Sequence, residues 1–424
     1  MTTRVGFLAG LLLLVSGLVH GQPRDLVEAT PRFDGAEALP LETEGYQHVF
    51  NYDYDDADQV FRRLDEQFPD YAAGPYGRAS TLYMRFAQPI GALRGSLHRG
   101  DRFWDQSAKP DLSPAERELF DQSYAESVAR CERVLARYPD DTLALYYLGA
   151  SESLKAAWDM TILRSYWGGT RAMRRAVKHH RRVQELDREF DDAYQVLGVY
   201  DYGIATLPRA LRFLARLFGM RGEKERGLEW VARTANEGER SRWGALWSLS
   251  LFMQREDRLE DALDAVRQLR EQFPKNPDFA LEEAGIHLHH GETSEAREEL
   301  LAFVERRDAG FGNFHLTPSG LAELRLGESW LFEANWEEAE AAFSKGLQSS
   351  PHPDVRVMLH FRRGNARDGL GQRQRALFDY NRVRQLGGDK MVENWAKALR
   401  KRPWPGGAPE GSRPHPEGEE SRPR

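Results

Sequence analysis

The residues best suited to chemistry in this sequence are six cations within one short stretch. No acidic residue lies between Arg171 and Arg182, and at helical spacing the six cations cover more than one face. Guanidinium and ammonium groups bind carboxylates and phosphates through charge-assisted hydrogen bonds. The stretch predicts a patch for an anionic partner; the alternative is that the cations are solvated and paired with the acidic residues of 185–192. The six residues are Arg171, Arg174, Arg175, Lys178, Arg181 and Arg182.

Histidines at 179–180 and 287–290 and aspartates at 51–56 raise the question of a metal site. A helical metal pair prefers ligands four residues apart, and neither histidine cluster has that spacing. The aspartate run lacks the glycine and the terminal glutamate of an EF-hand loop. The chain also lacks a nucleophile elbow, a phosphate-binding loop and a dinucleotide fingerprint. We therefore expect no catalytic residue, no metal and no cofactor.

Composition limits the class of protein. The 424 residues are 41% hydrophobic and 29% charged, which is typical of soluble, helix-rich proteins. A net charge of −7 argues against a general nucleic-acid binder. The single cysteine, Cys131, excludes an intrachain disulfide, and its place in an apolar helical pattern predicts a small buried side chain.

The first 21 residues have the order of a secretory signal peptide. Arg4 precedes an uncharged apolar run at 5–19, and Val19 and Gly21 are small residues at the −3 and −1 positions of a cleavage site. The apolar run is short for a membrane span, although an uncleaved anchor is the alternative. We predict a secreted or periplasmic mature protein that begins with a linker at 22–43.

The basic residues must be positioned by helices, and the stretch 320–351 shows the pattern in which these helices would pair. Small residues stand where two antiparallel helices would cross, large apolar residues would fill the seam between them, and a proline would end the second helix. This pattern predicts a helix pair that recurs about every 34 residues. The defining residues are Leu326, Gly327, Trp330, Ala339, Phe343 and Pro351.

The same register recurs earlier in the chain. Ala296 follows Ala262 by 34 residues, which matches the repeat, whereas Leu197-Gly198 follows Leu148-Gly149 by 49 residues. The longer spacing predicts an insertion in the middle of the array. The repeat-defining residues of these units are Leu148, Gly149, Leu197, Gly198, Ala262 and Ala296.

These spacings resemble the tetratricopeptide repeat (TPR) superfamily over about residues 50–390. Residues 199–238 also resemble a segment of the TPR family of the outer mitochondrial membrane and inclusion-body clearance, through Leu207-Pro208 and through Gly219, Gly222 and Gly227. The resemblance implies an all-α, right-handed superhelical solenoid of antiparallel helix pairs, with inserted helices in the middle. It implies no catalytic residue, and the organellar role does not carry over to a chain with a secretory signal.

The segment 207–218 has two helical faces. Leucines and a phenylalanine follow one face and arginines largely follow another. Such a helix could lie on an anionic membrane surface, but we favour an extra helix packed within the array. The apolar face comprises Leu207, Leu211, Leu214 and Phe218, and the basic face comprises Arg209, Arg212 and Arg216.

The sequence therefore predicts five segments: a signal peptide at 1–21, the linker at 22–43, irregular TPR-like helices at 44–240, a regular array with a capping helix at 241–402, and a disordered tail at 403–424. We expect a non-catalytic scaffold of the cell envelope that binds a protein or peptide. A ligand-binding or docking component of an envelope transport or assembly system is the alternative.

Overall fold

The computed structural model describes residues 35–91, 110, 112–217, 219–387 and 390–406. The predicted signal peptide, most of the predicted linker and the tail from 407 lie outside these residues. All regular secondary structure in the described ranges is helical. None of the helices described there has the length and apolar character needed to cross a bilayer.

Eighteen α-helices follow one another along the described chain. The first nine are α1 (Leu39–Asn51), α2 (Tyr54–Gln67), α3 (Ala73–Ala87), α4 (Pro114–Arg137), α5 (Thr142–Thr161), α6 (Tyr166–Leu186), α7 (Tyr194–Ala205), α8 (Arg209–Leu217) and α9 (Lys224–Glu237). The other nine are α10 (Arg242–Arg255), α11 (Leu259–Gln272), α12 (Pro277–His290), α13 (Thr293–Asp308), α14 (Leu321–Phe332), α15 (Trp336–Gln348), α16 (Pro353–Gly369), α17 (Arg373–Leu386) and α18 (Lys390–Leu399).

Neighbouring helices pair through a glycine on one helix and an aromatic ring on the other. A Cβ built on Gly327 of α14 would lie 2.3 Å from Phe343 of α15. The same contact joins Gly77 of α3 to Phe61 of α2. Helices can approach this closely only where one of them carries no side chain. The predicted all-α fold of packed helix pairs is therefore confirmed.

The described residues form two compact units. The first comprises the described parts of 1–49, 53–90 and 107–249, and the second comprises those of 50–52, 91–106 and 250–424. Between these units the chain passes from the first to the second at Leu249–Ser250, inside α10, nine residues after the predicted boundary between the irregular and the regular repeats.

Helix α1 begins inside the predicted linker. Its second residue is Pro40, and the first turn of a helix tolerates proline because the N–H groups there have no intrahelical acceptor. Glu42 is 2% exposed, and its carboxylate accepts hydrogen bonds from the hydroxyls of Tyr71, at 2.6 Å, and Tyr147. Proline and mixed charge suggested a linker, but this carboxylate lies within the core.

The predicted start of the disordered tail, at residue 403, also lies too early in the chain. Trp404 is only 6% exposed and packs in a cluster with Val392, Ala396 and Leu399. Its backbone N–H donates a hydrogen bond of 3.0 Å to Asp368 Oδ2. The described chain is therefore packed beyond Pro403.

One local prediction, the burial of Cys131, is confirmed, and reciprocal hydrogen bonds define the start of α4. Ser113 caps α4: its hydroxyl accepts from the Glu116 N–H at 3.2 Å, and its own N–H donates to Glu116 Oε2 at 2.9 Å. This reciprocal arrangement satisfies donors that would otherwise lack acceptors at the helix start. Cys131 is 1% exposed, and burial raises the pKa of its thiol, so the side chain is an unreactive core residue.

Candidate anion-binding site

Helix α6 directs its basic residues outward because its opposite face packs closely on α5. Ala172, Ala176 and Val183 are at most 1% exposed. Gly149 of α5 lies against the His180 ring, where a Cβ would come within 2.7 Å of Cδ2. The apolar face thus fixes the rotation of α6, and the cations emerge on the remaining surface.

Three of the six predicted patch residues line one cleft. Arg174, Lys178 and Arg181 lie at positions i, i+4 and i+7 of α6, and all three are exposed. None of them forms an ion pair with a described carboxylate, whereas Arg175 and Arg182 of the same helix do. These three cations form the part of the predicted patch that remains available to an external anion.

Arg175, unlike Arg174, pairs with a carboxylate of the chain. Its Nε and Nη2 donate to Glu152 Oε1 and Oε2 at 2.6 and 2.7 Å, and Glu152 is 5% exposed. Burial and the Glu152 charge raise the pKa of nearby Tyr124 to about 12, so this phenol stays neutral near pH 7. Arg175 therefore neutralises a buried carboxylate of α5.

The two outermost cations of the predicted patch also have partners. Arg182 donates to Asp140 Oδ1 at 2.7 Å and to Glu185 Oε2 at 3.0 Å. The guanidinium carbon of Arg171 lies 5.7 Å from the centre of the Trp167 ring. The structure thus divides the predicted patch: half of it lines the cleft, and the other half has partners in the chain, of which only Glu185 belongs to the acidic residues of 185–192.

Residues outside α6 complete the cleft, which we call the α6 cleft. Tyr200 of α7 and the segment Gly219–Met220 face Arg174, Lys178 and Arg181 across a volume of about 400 Å³. Gly222 holds the 219–222 segment against α7, because a Cβ there would lie 2.3 Å from the Asp201 carbonyl oxygen. The glycine pattern of this segment was visible in the sequence, but nothing in it marked Tyr200 or Met220.

The electrostatics of the α6 cleft favour an anion. Burial raises the pKa of Tyr200, and the positive charges of Arg181 and Arg174 oppose that rise, so the phenol stays neutral and can donate a hydrogen bond. The nearby Asp201 is 1% exposed, and its Oδ2 accepts from Arg226 Nε at 2.6 Å. Arg226 is the hydrogen-bonding partner of Asp201, whose negative charge Arg181 also stabilises, and the one carboxylate of the lining, Glu185, pairs with Arg182 at 3.0 Å.

Helix α8 packs less extensively than we expected. Ala215 is buried and Leu211 and Leu214 are half-buried, whereas Phe213 and Leu217 are 63% and 65% exposed. Leu207 is also half-buried, and Phe218 lies outside the described residues. Among the arginines of this helix, Arg212 donates to the Ala205 carbonyl oxygen at the end of α7, at 2.6 Å, while Arg209 and Arg216 are exposed.

In two places among the described residues, three side chains that could each supply a metal ligand lie close together. They are His48 with Asp53 and Asp56, and His290 with Glu260 and Glu292. In the second group the ring of His290 already contacts Glu292, with Nδ1 3.0 Å from Oε1. His180 is buried, and neither of its ring nitrogens has a hydrogen-bond partner among the described residues. Neither of the two groups of potential metal ligands forms part of the α6 cleft.

The repeat-defining residues lie at helix seams. Ten are buried, while Leu326 and Trp330 are half-buried, and the Arg297 guanidinium carbon lies 3.6 Å from the centre of the Trp330 ring. Gly198 of α7 packs on Val231 of α9, not on an aromatic ring. The buried residues are Leu148, Gly149, Leu197, Gly198, Ala262, Ala296, Gly327, Ala339, Phe343 and Pro351.

Among the comparisons with known proteins, only the comparison with solved structures finds matches. No protein-family model matches the chain, and no curated protein does. The human IFIT1 dimer with m7Gppp-AAAA aligns over 87% of this chain and 88% of its own, at 13% identity and a TM-score of 0.40. Yeast Tom70 aligns over 87% and 96%, at 12% identity and a TM-score of 0.37. The TPR domain of P58(IPK) aligns over 86% and 99%, at 14% identity and a TM-score of 0.25.

Proposed function

We propose that the chain is an exported, non-catalytic scaffold whose α6 cleft binds an acidic segment of a partner protein. The observation that carries this proposal is the row of Arg174, Lys178 and Arg181, which face one cleft and form no ion pair with a described carboxylate; Glu185, which also lines the cleft, pairs with Arg182. The apolar run at 5–19 supports export.

The spacing of the cations suits an extended acidic peptide. Residues four apart on a helix are about 6 Å apart along its axis. Alternate side chains of an extended peptide are separated by about 6.6 Å and lie on one face. Two carboxylates at positions i and i+2 of a bound segment could therefore meet Arg174 and Lys178 together.

The lining favours a peptide over a free inorganic anion. Met220 and Val177 supply apolar contact beside the cations, and the Tyr200 phenol supplies a neutral donor. A phosphate ion would use the charges but would not contact the small exposed parts of Val177 and Met220, which are 5% and 8% exposed. A peptide side chain with methylene groups and a carboxylate uses both.

Fluorescence anisotropy with a labelled peptide of alternating glutamate and serine tests the proposal. We expect binding that weakens with added salt and is absent for the matching glutamine–serine peptide. The variant Arg174→Glu/Lys178→Glu should weaken binding at least tenfold. Its matched control, Arg384→Glu/Lys397→Glu, makes the same charge change at two exposed cations of the second unit and should leave binding within twofold.

Two results would reject this function. Equal binding of the glutamate and glutamine peptides would remove the role of charge. Equal loss in both charge-reversed variants would show that net charge, not the α6 cleft, controls binding. Full competition by millimolar inorganic phosphate would favour a small anion as the occupant, in line with the ligand-binding alternative.

A further inference from the structure

The outward face of α8 combines exposed apolar and basic side chains. Phe213 and Leu217 are the two most exposed large hydrophobic residues described, at 63% and 65%. At 100° per residue, Arg209, Phe213, Arg216 and Leu217 fall within about 100° of one another around the helix. Because Leu211, Leu214 and Ala215 pack toward the chain, this mixed face points to solvent.

The charged side chains around α8, at 202–222, are all positive. No aspartate or glutamate occurs from 202 to 222, whereas the same range contains four arginines. Arg209 and Arg216 are exposed and form no ion pair with a described residue. Arg212 is partly committed to the α7 carbonyl of Ala205. An occupant of the α8 face must therefore be anionic and must also cover two large apolar side chains.

We propose that the outward face of α8 docks reversibly on a bilayer that contains anionic lipids. Phe213 and Leu217 would enter the boundary between headgroups and acyl chains, and Arg209 and Arg216 would meet lipid phosphates. Two large apolar side chains interspersed with two exposed arginines on one short helix match a surface that is both apolar and anionic, as the headgroup boundary of such a bilayer is. The proposal concerns a surface separate from the α6 cleft and goes beyond the proposed function.

Vesicle co-sedimentation tests the docking surface on the full chain. We expect binding to vesicles of phosphatidylcholine with 30% phosphatidylglycerol, and much weaker binding to phosphatidylcholine alone, as an electrostatic contribution requires. Arg209→Gln/Arg216→Gln should weaken the first interaction by about fivefold for each arginine. Phe213→Ser/Leu217→Ser should weaken it at least tenfold.

The chain offers a matched control for the apolar substitutions. Leu301→Ser/Phe378→Ser removes two hydrophobic side chains of the second unit that are 52% and 57% exposed. This control should keep full vesicle binding, and so should the α6-cleft variant Arg174→Glu/Lys178→Glu. Loss of binding in the α6-cleft variant alone would place the lipid surface at α6 and reject the α8 proposal.

A direct readout of depth separates insertion from simple adsorption. Phe213→Trp should show quenching by lipids brominated on their acyl chains, while Phe378→Trp should not. Absence of binding to anionic vesicles would overturn the proposal. So would a change in self-association in the Phe213→Ser/Leu217→Ser variant with vesicle binding retained, since a second copy would then be the occupant.

Discussion

Arg175 donates two hydrogen bonds to the Glu152 carboxylate, whereas the adjacent Arg174 faces an open cleft. Consecutive helix residues point about 100° apart, so one of these arginines faces α5 and the other faces solvent. The two adjacent arginines therefore differ: Arg175 has a structural role, and Arg174 has the binding role that we propose. It also means that a variant used to test binding must leave Arg175 unchanged.

We predict that Arg175→Ala lowers the free energy of unfolding by about 2 kcal/mol, because Glu152 would stay buried without its guanidinium. Arg174→Ala should change it by less than about 0.5 kcal/mol, as expected for an exposed side chain without a partner. Urea unfolding followed by circular dichroism measures both. Equal stabilities of the two variants would show that the Glu152 pair contributes nothing to the fold.

The α14–α15 seam gives a second prediction. Gly327→Ala should destabilise the chain by about 1–3 kcal/mol, because its Cβ would overlap the Phe343 ring and force the helices apart. Gly203→Ala is the matched helical control: a Cβ there meets no atom within 4 Å. That control should stabilise by about 0.5 kcal/mol, since alanine loses less backbone entropy than glycine on folding. A neutral Gly327→Ala would refute the close approach of these helices.

His180 should make stability depend on pH. Burial, and secondly the charge of His179, lower the pKa of His180 from its ordinary 6.5 to about 3. Between these values the unfolded chain binds a proton that the folded chain does not. Above pH 6.5 His180 therefore does not lower the free energy of unfolding. Below pH 6.5 it lowers the free energy of unfolding by about 1.4 kcal/mol per pH unit.

The variant His180→Leu should remove that contribution. Its urea midpoint should fall less steeply than that of the unmodified chain between pH 6.5 and 4.5. Other groups titrate in this range in both proteins, so the difference between the two slopes isolates His180. Identical slopes would mean that the buried ring accepts a proton in the folded state.

A buried carboxylate of the second unit gives a further prediction. Asp379 is fully buried and accepts from Arg363 Nη2 at 2.8 Å and from Arg367 Nη1 at 2.7 Å, with His360 Nδ1 2.8 Å from Oδ1. Burial by itself raises the pKa of Asp379, but the hydrogen bonds from His360 and Arg363 outweigh it and lower the pKa. Its stabilising contribution is thus present above the unfolded value and lost as pH falls through the folded one.

Asp379→Asn should cost about 3 kcal/mol, because it leaves the Arg363 guanidinium without its counter-charge in the core, while Arg367 keeps Glu340. Asp308→Asn is the control: Asp308 is 59% exposed and pairs with Arg307, so its loss should cost less than about 1 kcal/mol. Differential scanning calorimetry compares the two. If both variants melt at the same temperature, the buried cluster does not stabilise the second unit.

The fold could be predicted from the sequence because its determinants are local. Gly327 and Phe343 lie 16 residues apart, and that spacing alone implies a close helix crossing. Helix α1 was missed because Pro40 suggests a linker, whereas its position in the first helical turn makes it harmless. Trp404 was missed because its partners belong to a cluster that local composition does not reveal.

The α6 cleft could be predicted only in part. The basic run identified α6, but which cations remain free depends on Glu152 and Asp140, which precede Arg175 and Arg182 by 23 and 42 residues. Tyr200 and Met220 join the cleft through the path of the chain between α7 and α9. Such contacts depend on the packed structure, so no spacing within α6 could indicate them.

Photo-cross-linking from the α6 cleft tests the central claim most directly. A photoreactive phenylalanine at position 200, used in cells that make the protein, should capture a partner peptide with acidic residues at alternate positions. The cross-link should disappear in Arg174→Glu/Lys178→Glu and persist in Arg384→Glu/Lys397→Glu. Cross-linked peptides without acidic residues, or a cross-link that survives Arg174→Glu/Lys178→Glu, would contradict the account.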